Sequence, residues 1–123
     1  MRKQILVIDD NVANLRLFEI LLRSDYVVET AADAPEALAV LRRFHPDLIL
    51  MDVQLPGMDG ISLTRHLRTT KEYKAIPIVA LTAYAMLDDR KRALEAGCDG
   101  FISKPVDTRT FIDTVERHLE KAS

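Results

Sequence analysis

Five short apolar runs, each followed by a helical pattern, set the architecture of this chain. The runs are Ile5–Ile8 (ILVI), Val27–Ala31, Leu48–Met51 (LILM), Ile78–Leu81 (IVAL) and Phe101–Ser103. The first, third and fourth are apolar at every position. A strand of that kind is buried on both faces, which suits a parallel sheet covered by helices on each side. The second, "VVETA", is mixed and belongs at a sheet edge. Between the runs, helical spacing predicts Asn14–Ser24, with Leu17, Phe18 and Leu21 toward the sheet and Leu15 and Leu22 leaning outward. It also predicts Pro35–Phe44, carrying Leu38 and Leu41, with Pro35 tolerated in the first turn. "GISLTRHLR" is a shorter helix with Ile61, Leu63, Thr64 and Leu67. Met86–Ala96 closes on Gly97 as a glycine cap, and Thr108–Leu119 places Phe111, Ile112, Val115 and Leu119 inward with Asp107 as N-cap. No repeat, low-complexity tract or linker interrupts the pattern. Five βα units in series make one doubly wound α/β sandwich over residues 1–123.

Size and charge remove several function classes. A chain of 123 residues, 48% apolar and 29% charged, is one ordinary domain with room for a full core. A net charge of −2, from 17 basic and 19 acidic residues, gives no bulk attraction to nucleic acid or anionic membrane. Cys98 is the single cysteine, so neither an intrachain disulfide nor a thiolate metal cluster is available. No apolar run approaches the roughly 18 residues of a membrane helix, and the start, "MRKQILVIDD", reaches acidic residues too soon for a signal peptide. The expectation is a cytoplasmic protein.

In a doubly wound sheet, ligands bind beyond the carboxyl ends of the strands, where strand order reverses. The residues there are Asp9, Asp10 and Asn11 after the first run, Asp52 after the third, Thr82 and Ala83 after the fourth, and Lys104 and Pro105 after the fifth. If the first and third strands are neighbours, three carboxylates meet one ammonium in a small crevice. Two carboxylates about 4 Å apart repel by about 1 kcal/mol in water and about 4 kcal/mol at an effective dielectric near 20. Such a cluster titrates upward or takes a cation. Its donors are all hard oxygens with no histidine or cysteine beside them, which selects Mg²⁺, with Mn²⁺ as a substitute, over zinc or copper. A site of this kind suits a phosphoryl group: the ion and the Lys104 ammonium neutralise its oxygens, and Asp52 is the carboxylate nucleophile.

Taken together, "DD" after the first strand, "LILMDVQLPGMDG", "VALTA" and "FISKP" resemble the receiver domain of two-component response regulators, in the family's order and spacing along the whole chain. The resemblance implies a flavodoxin-like (βα)5 three-layer sandwich whose parallel sheet has the order 2-1-3-4-5. It implies Asp52 as phosphoacceptor, Asp10, Asp52 and the backbone carbonyl of Gln54 as Mg²⁺ ligands, and Asp9 acting mainly through water or behind the ligands. Lys104 would contact the phosphoryl group and Thr82 would donate its hydroxyl to it. Phe101 fills the family's switch aromatic position, without the hydroxyl of the tyrosine many members carry. The Lys104–Pro105 bond would be cis. A histidine kinase or histidine phosphotransfer protein would supply the phosphoryl group, and a downstream protein would read the result. Leu15 would help dock the helical phosphodonor, and Gln54 and Tyr84 would tune the phosphoryl lifetime.

Three other readings compete. A phosphatase of the haloacid dehalogenase type would need Asp-x-Asp after the first strand, where this chain has "DDNVAN". A flavin-binding electron carrier would need a Ser/Thr/Gly-rich phosphate loop where this chain is acidic. A receiver belonging to a hybrid histidine kinase would carry the same residues. His45, His66 and His118 lie away from the crevice and are assigned no role, and Cys98 is read as a small buried filler.

Overall fold

A computed structural model describes residues 2–55, 57–82 and 87–122. Along the chain run β1 (Gln4–Ile8), α1 (Val12–Leu22), β2 (Val27–Ala31), α2 (Ala34–Leu41), β3 (Leu48–Asp52), α3 (Gly60–Thr69), β4 (Ile78–Thr82), α4 (Leu87–Ala96), β5 (Gly100–Ser103) and α5 (Phe111–Ala122). The sheet order is β2-β1-β3-β4-β5, with every pairing parallel. The α/β class, the sheet order and the edge position of "VVETA" agree with the expectations from sequence. Pro56, Ala83, Tyr84 and the expected start of the fourth helix at Met86 lie outside the described residues.

Alternation along the central strands sorts the core into two layers. Ile5, Val7, Leu48, Leu50, Val79 and Leu81 pack against α1 and α5 through Phe18, Leu22, Phe111, Val115 and Leu119. Leu6, Ile8, Ile49, Met51, Ile78 and Ala80 face α2, α3 and α4. The rings of Phe18 and Phe111 stack at 5.4 Å between centroids and tie α1 to α5. With successive residues covered on opposite faces, β1, β3 and β4 have no solvent side, which is why their sequences read as unbroken apolar runs.

Helix ends follow local side-chain chemistry. Asn11, Asp33 and Asp59 each cap a helix by accepting from the amide three residues on, that of Asn14, Glu36 and Ser62. Gly97 adopts φ +115° just past α4, the left-handed conformation that glycine reaches without steric cost.

Two expectations require correction. On α1 the buried pair is Phe18 and Leu22, with Leu15 and Leu21 half-buried, whereas Leu17 is 38% exposed. At 3.6 residues per turn, positions 15, 18 and 22 form one stripe and position 17 lies about 130° from its centre. Leu17 therefore faces outward and Leu22 inward. The last helix begins at Phe111, not Thr108, because Thr108–Thr110 form a turn in which the Thr110 amide donates to the Asp107 carbonyl at 3.2 Å. The Asp107 carboxylate accepts from the Arg109 amide and guanidinium and does not cap α5.

Candidate functional site

Parallel pairing brings the strand ends together. Ile8 aligns with Met51, so the next residues, Asp9 and Asp52, leave the sheet side by side. Asp52 aligns with Leu81, and Thr82 with Ser103, which carries Thr82 and Lys104 to the same edge. Three backbone bonds fix this rim: Asp9 N to Ala31 O at 3.0 Å, Val53 N to Leu81 O at 3.1 Å, and Lys104 N to Thr82 O at 2.8 Å.

Asp9, Asp10 and Asp52 each offer a carboxylate oxygen, and these atoms lie within 4.8 Å of one another. Asp9 and Asp52 are buried and Asp10 is exposed, so the cluster opens to solvent on one side. Lys104 reaches across it, donating from Nζ to Asp9 Oδ2 at 2.8 Å and to Asp52 Oδ2 at 3.1 Å. Asp9 also accepts from the Asn11 amide at 2.9 Å on Oδ1 and from Asn14 Nδ2 at 3.2 Å on Oδ2. Asp52 Oδ1 takes the Gln54 amide at 3.0 Å. Asp9 is thus held by protein donors on both oxygens.

Burial pushes the Asp52 carboxyl above its ordinary range, and the Asp9 charge adds to that push. The Gln54 amide and Lys104, by hydrogen bond and by charge, pull the other way without cancelling it. For Lys104, burial works against the ammonium, yet its hydrogen bonds to Asp9 and Asp52 and their charges outweigh burial and raise it above the usual lysine value. Three carboxylates and one ammonium leave the site anionic, and all its donors are oxygen. The residues fit a hard divalent cation with open positions, and a histidine- or cysteine-seeking metal finds no ligand among them.

Thr82 is buried at the end of β4, and Phe101 is half-buried one layer away, against the core that β4 shares with α4. Lys104–Pro105 is cis, the isomer that the family resemblance implies. His45 and His66 are exposed in other parts of the fold, and Cys98 is buried with its sulfur 3.7 Å from Thr64 Oγ1.

One support of this region, and one of the opposite edge of the sheet, escape sequence reasoning. Asn14 braces Asp9 from the first turn of α1, and "DDNVAN" held the only hint of it. Arg68, in the last turn of α3, donates to the carbonyls of Gly97 at 2.8 Å, Lys74 at 3.1 Å and Ile76 at 2.7 Å, and to Asp99 Oδ2 at 2.9 Å. It thereby ties the end of α4 to the α3–β4 connection. A basic residue in a last helical turn was its only sequence signal.

Comparison with known proteins agrees with this geometry. The family model of the response regulator receiver domain matches residues 5–116. The polar-differentiation response regulator DivK of Brucella ovis is 40% identical over 123 residues, 99% of this chain and 100% of that protein. The solved chemotaxis response regulator CheY4 of Vibrio cholerae superimposes with a TM-score of 0.90 at 30% identity, over 96% of this chain and 99% of that one. The receiver domain of the sensor histidine kinase PA1611 from Pseudomonas aeruginosa, which has a magnesium ion coordinated in its active site cleft, gives a TM-score of 0.87 at 36% identity, over 98% and 99% of the two chains. The chain belongs to the response regulator receiver domain family.

Proposed function

We propose that this chain is a phosphorylation-controlled switch in the cytoplasm, with Asp52 as the phosphoacceptor. The observation that carries the reading is the Lys104 ammonium bridging Asp9 and Asp52 beside a three-carboxylate cluster. Asp10, Asp52 and the Gln54 backbone carbonyl would hold Mg²⁺, or Mn²⁺ in its place, and the ion when bound supplies neutralising charge for phosphoryl oxygens. Asp9, with both oxygens engaged by protein donors, orients Lys104 and acts from behind the ligands. Phosphoryl transfer proceeds with attack of an Asp52 carboxylate oxygen on phosphorus as the bond from phosphorus to the donor's imidazole nitrogen breaks. The imidazole leaves with that electron pair, and Lys104 pairs with a phosphoryl oxygen. The added charge then draws in the Thr82 hydroxyl, and Phe101 follows. A local electrostatic event thus becomes a change on the α4–β5–α5 surface that a downstream protein reads.

The donor is a histidine kinase or histidine phosphotransfer protein. Its docking face is α1, which follows Asp10 in the chain and on which Val12 (71% exposed), Ile20 (50%) and Leu17 (38%) stand out of the fold. Leu15, half-buried at the border of that face, contributes its outer edge. No helix among the described residues is long and apolar enough to cross a membrane, and signalling is by contact between proteins.

Incubation with acetyl phosphate and Mg²⁺ tests the reading. A receiver gains one base-labile acyl phosphate, lost in Asp52→Ala. Sustained hydrolysis of phosphoesters would instead support a phosphatase and overturn it.

A further inference from the structure

Outside the acidic crevice, one contact joins the switch aromatic to a charge. Arg90, on α4, lays its guanidinium over the Phe101 ring with Cζ 4.5 Å from the centroid. Arg90 Nε is buried and finds no hydrogen-bond partner among the described residues. A guanidinium nitrogen withdrawn from water without an acceptor is unfavourable unless another attraction offsets it, and here the face of the ring provides one. Phe101 has no hydroxyl with which to anchor itself, so the stack is its polar restraint.

The strands connect this contact to the site. Phe101 aligns with Ala80, and two residues on Ser103 aligns with Thr82, so ring and hydroxyl ride on one pair of hydrogen-bonded strands. Any travel of the ring relative to α4 alters the stack.

We propose that Arg90 is a positioning residue of the switch, whose stack on Phe101 holds the ring in its resting place and is broken on activation. The proposal rests on the receiver reading above and adds to it the element that sets the balance between the two states. A contact made only in the resting state lowers the apparent affinity of anything that favours the active one. Removing the guanidinium therefore makes a phosphoryl mimic bind more tightly.

The test uses the whole chain, Mg²⁺ and beryllium fluoride as the mimic, followed by NMR. In the resting protein the Arg90 side-chain protons carry an upfield shift from the ring. That shift is lost in Phe101→Leu and on saturation with the mimic. In Arg90→Met the half-saturating mimic concentration falls about two- to five-fold, Arg90→Lys restores most of the wild-type value, and Arg90→Met adds nothing to Phe101→Leu. Amide spectra report whether each variant is folded. Should Arg90→Met fail to fold, the wild-type shift and the Arg90→Lys titration decide the matter. An unchanged or weaker affinity in folded Arg90→Met, or an upfield shift that persists at saturation, overturns the role of Arg90 alone. Failure of the wild type to take up the mimic overturns the receiver reading together with it.

Discussion

Gly60, the first residue of α3, stands so close to Asp52 that a Cβ on it would lie 2.1 Å from the Asp52 carbonyl oxygen and 2.8 Å from the Val53 Cα. The Gly60 amide donates to the Val53 carbonyl at 3.0 Å, so the helix start is clamped against the strand that ends in Asp52. Both obstructing atoms are backbone and cannot swing aside. Gly60→Ala therefore destabilises the fold by on the order of 2 kcal/mol, read from the urea unfolding midpoint. An unchanged midpoint would show that the helix start moves freely relative to Asp52.

Arg68 gives a second stability prediction. Its guanidinium satisfies the carbonyl of Gly97, just past α4, and carbonyls of the α3–β4 connection, and Asp99 Oδ2 also takes the Ile78 amide at 2.8 Å. Arg68→Met leaves those carbonyls without their donor and costs about 3 kcal/mol. Arg68→Lys recovers only part of it, because one ammonium cannot span the fork of acceptors. Equal stability of the lysine variant and the wild type in urea would contradict this account.

Much of the scaffold could be read from residue order, and the contrast with Arg68 shows why. Continuous runs such as "LILM" follow from burial on both faces, a property of the strand itself and its two neighbours. Asp9, Asp10, Asp52 and Lys104 were legible because strand ends in this topology are forced to one edge. Arg68 acts across gaps that only tertiary packing closes, Asn14 reaches back to Asp9 from the first turn of α1, and neither residue type marks such a role by itself. The α1 face was misjudged for a related reason: with apolar residues at 15, 17, 18, 21 and 22, spacing alone admits two stripes. Burial of Leu22 and exposure of Leu17 distinguish them.

Acid–base behaviour follows from the raised Asp52 carboxyl. Its folded value lies above the ordinary 3.8, so the folded chain holds that proton more tightly than the unfolded chain does. The ionised group is then a liability at neutral pH, and the liability fades as pH falls through the folded value toward the unfolded one. Without divalent ions, Asp52→Asn melts above the wild type at pH 7, and the gap narrows on acidification. A gap that widened toward low pH would reverse the sign and contradict burial as the dominant cause.

Asp10 separates metal binding from folding, because it is exposed while belonging to the acidic cluster. Asp10→Asn lowers Mg²⁺ affinity by on the order of tenfold or more, measured by calorimetry, and leaves the melting temperature in chelator unchanged. Undiminished Mg²⁺ uptake would remove Asp10 from the ligand set.

The most direct measurement identifies the carboxylate that carries the phosphoryl group. Borohydride reduces an acyl phosphate on aspartate to homoserine, which peptide mass spectrometry can locate. After treatment with acetyl phosphate and Mg²⁺, the account predicts homoserine at position 52 and at neither position 9 nor position 10. Homoserine at either of those positions, or equal labelling of Asp52→Ala, would contradict it.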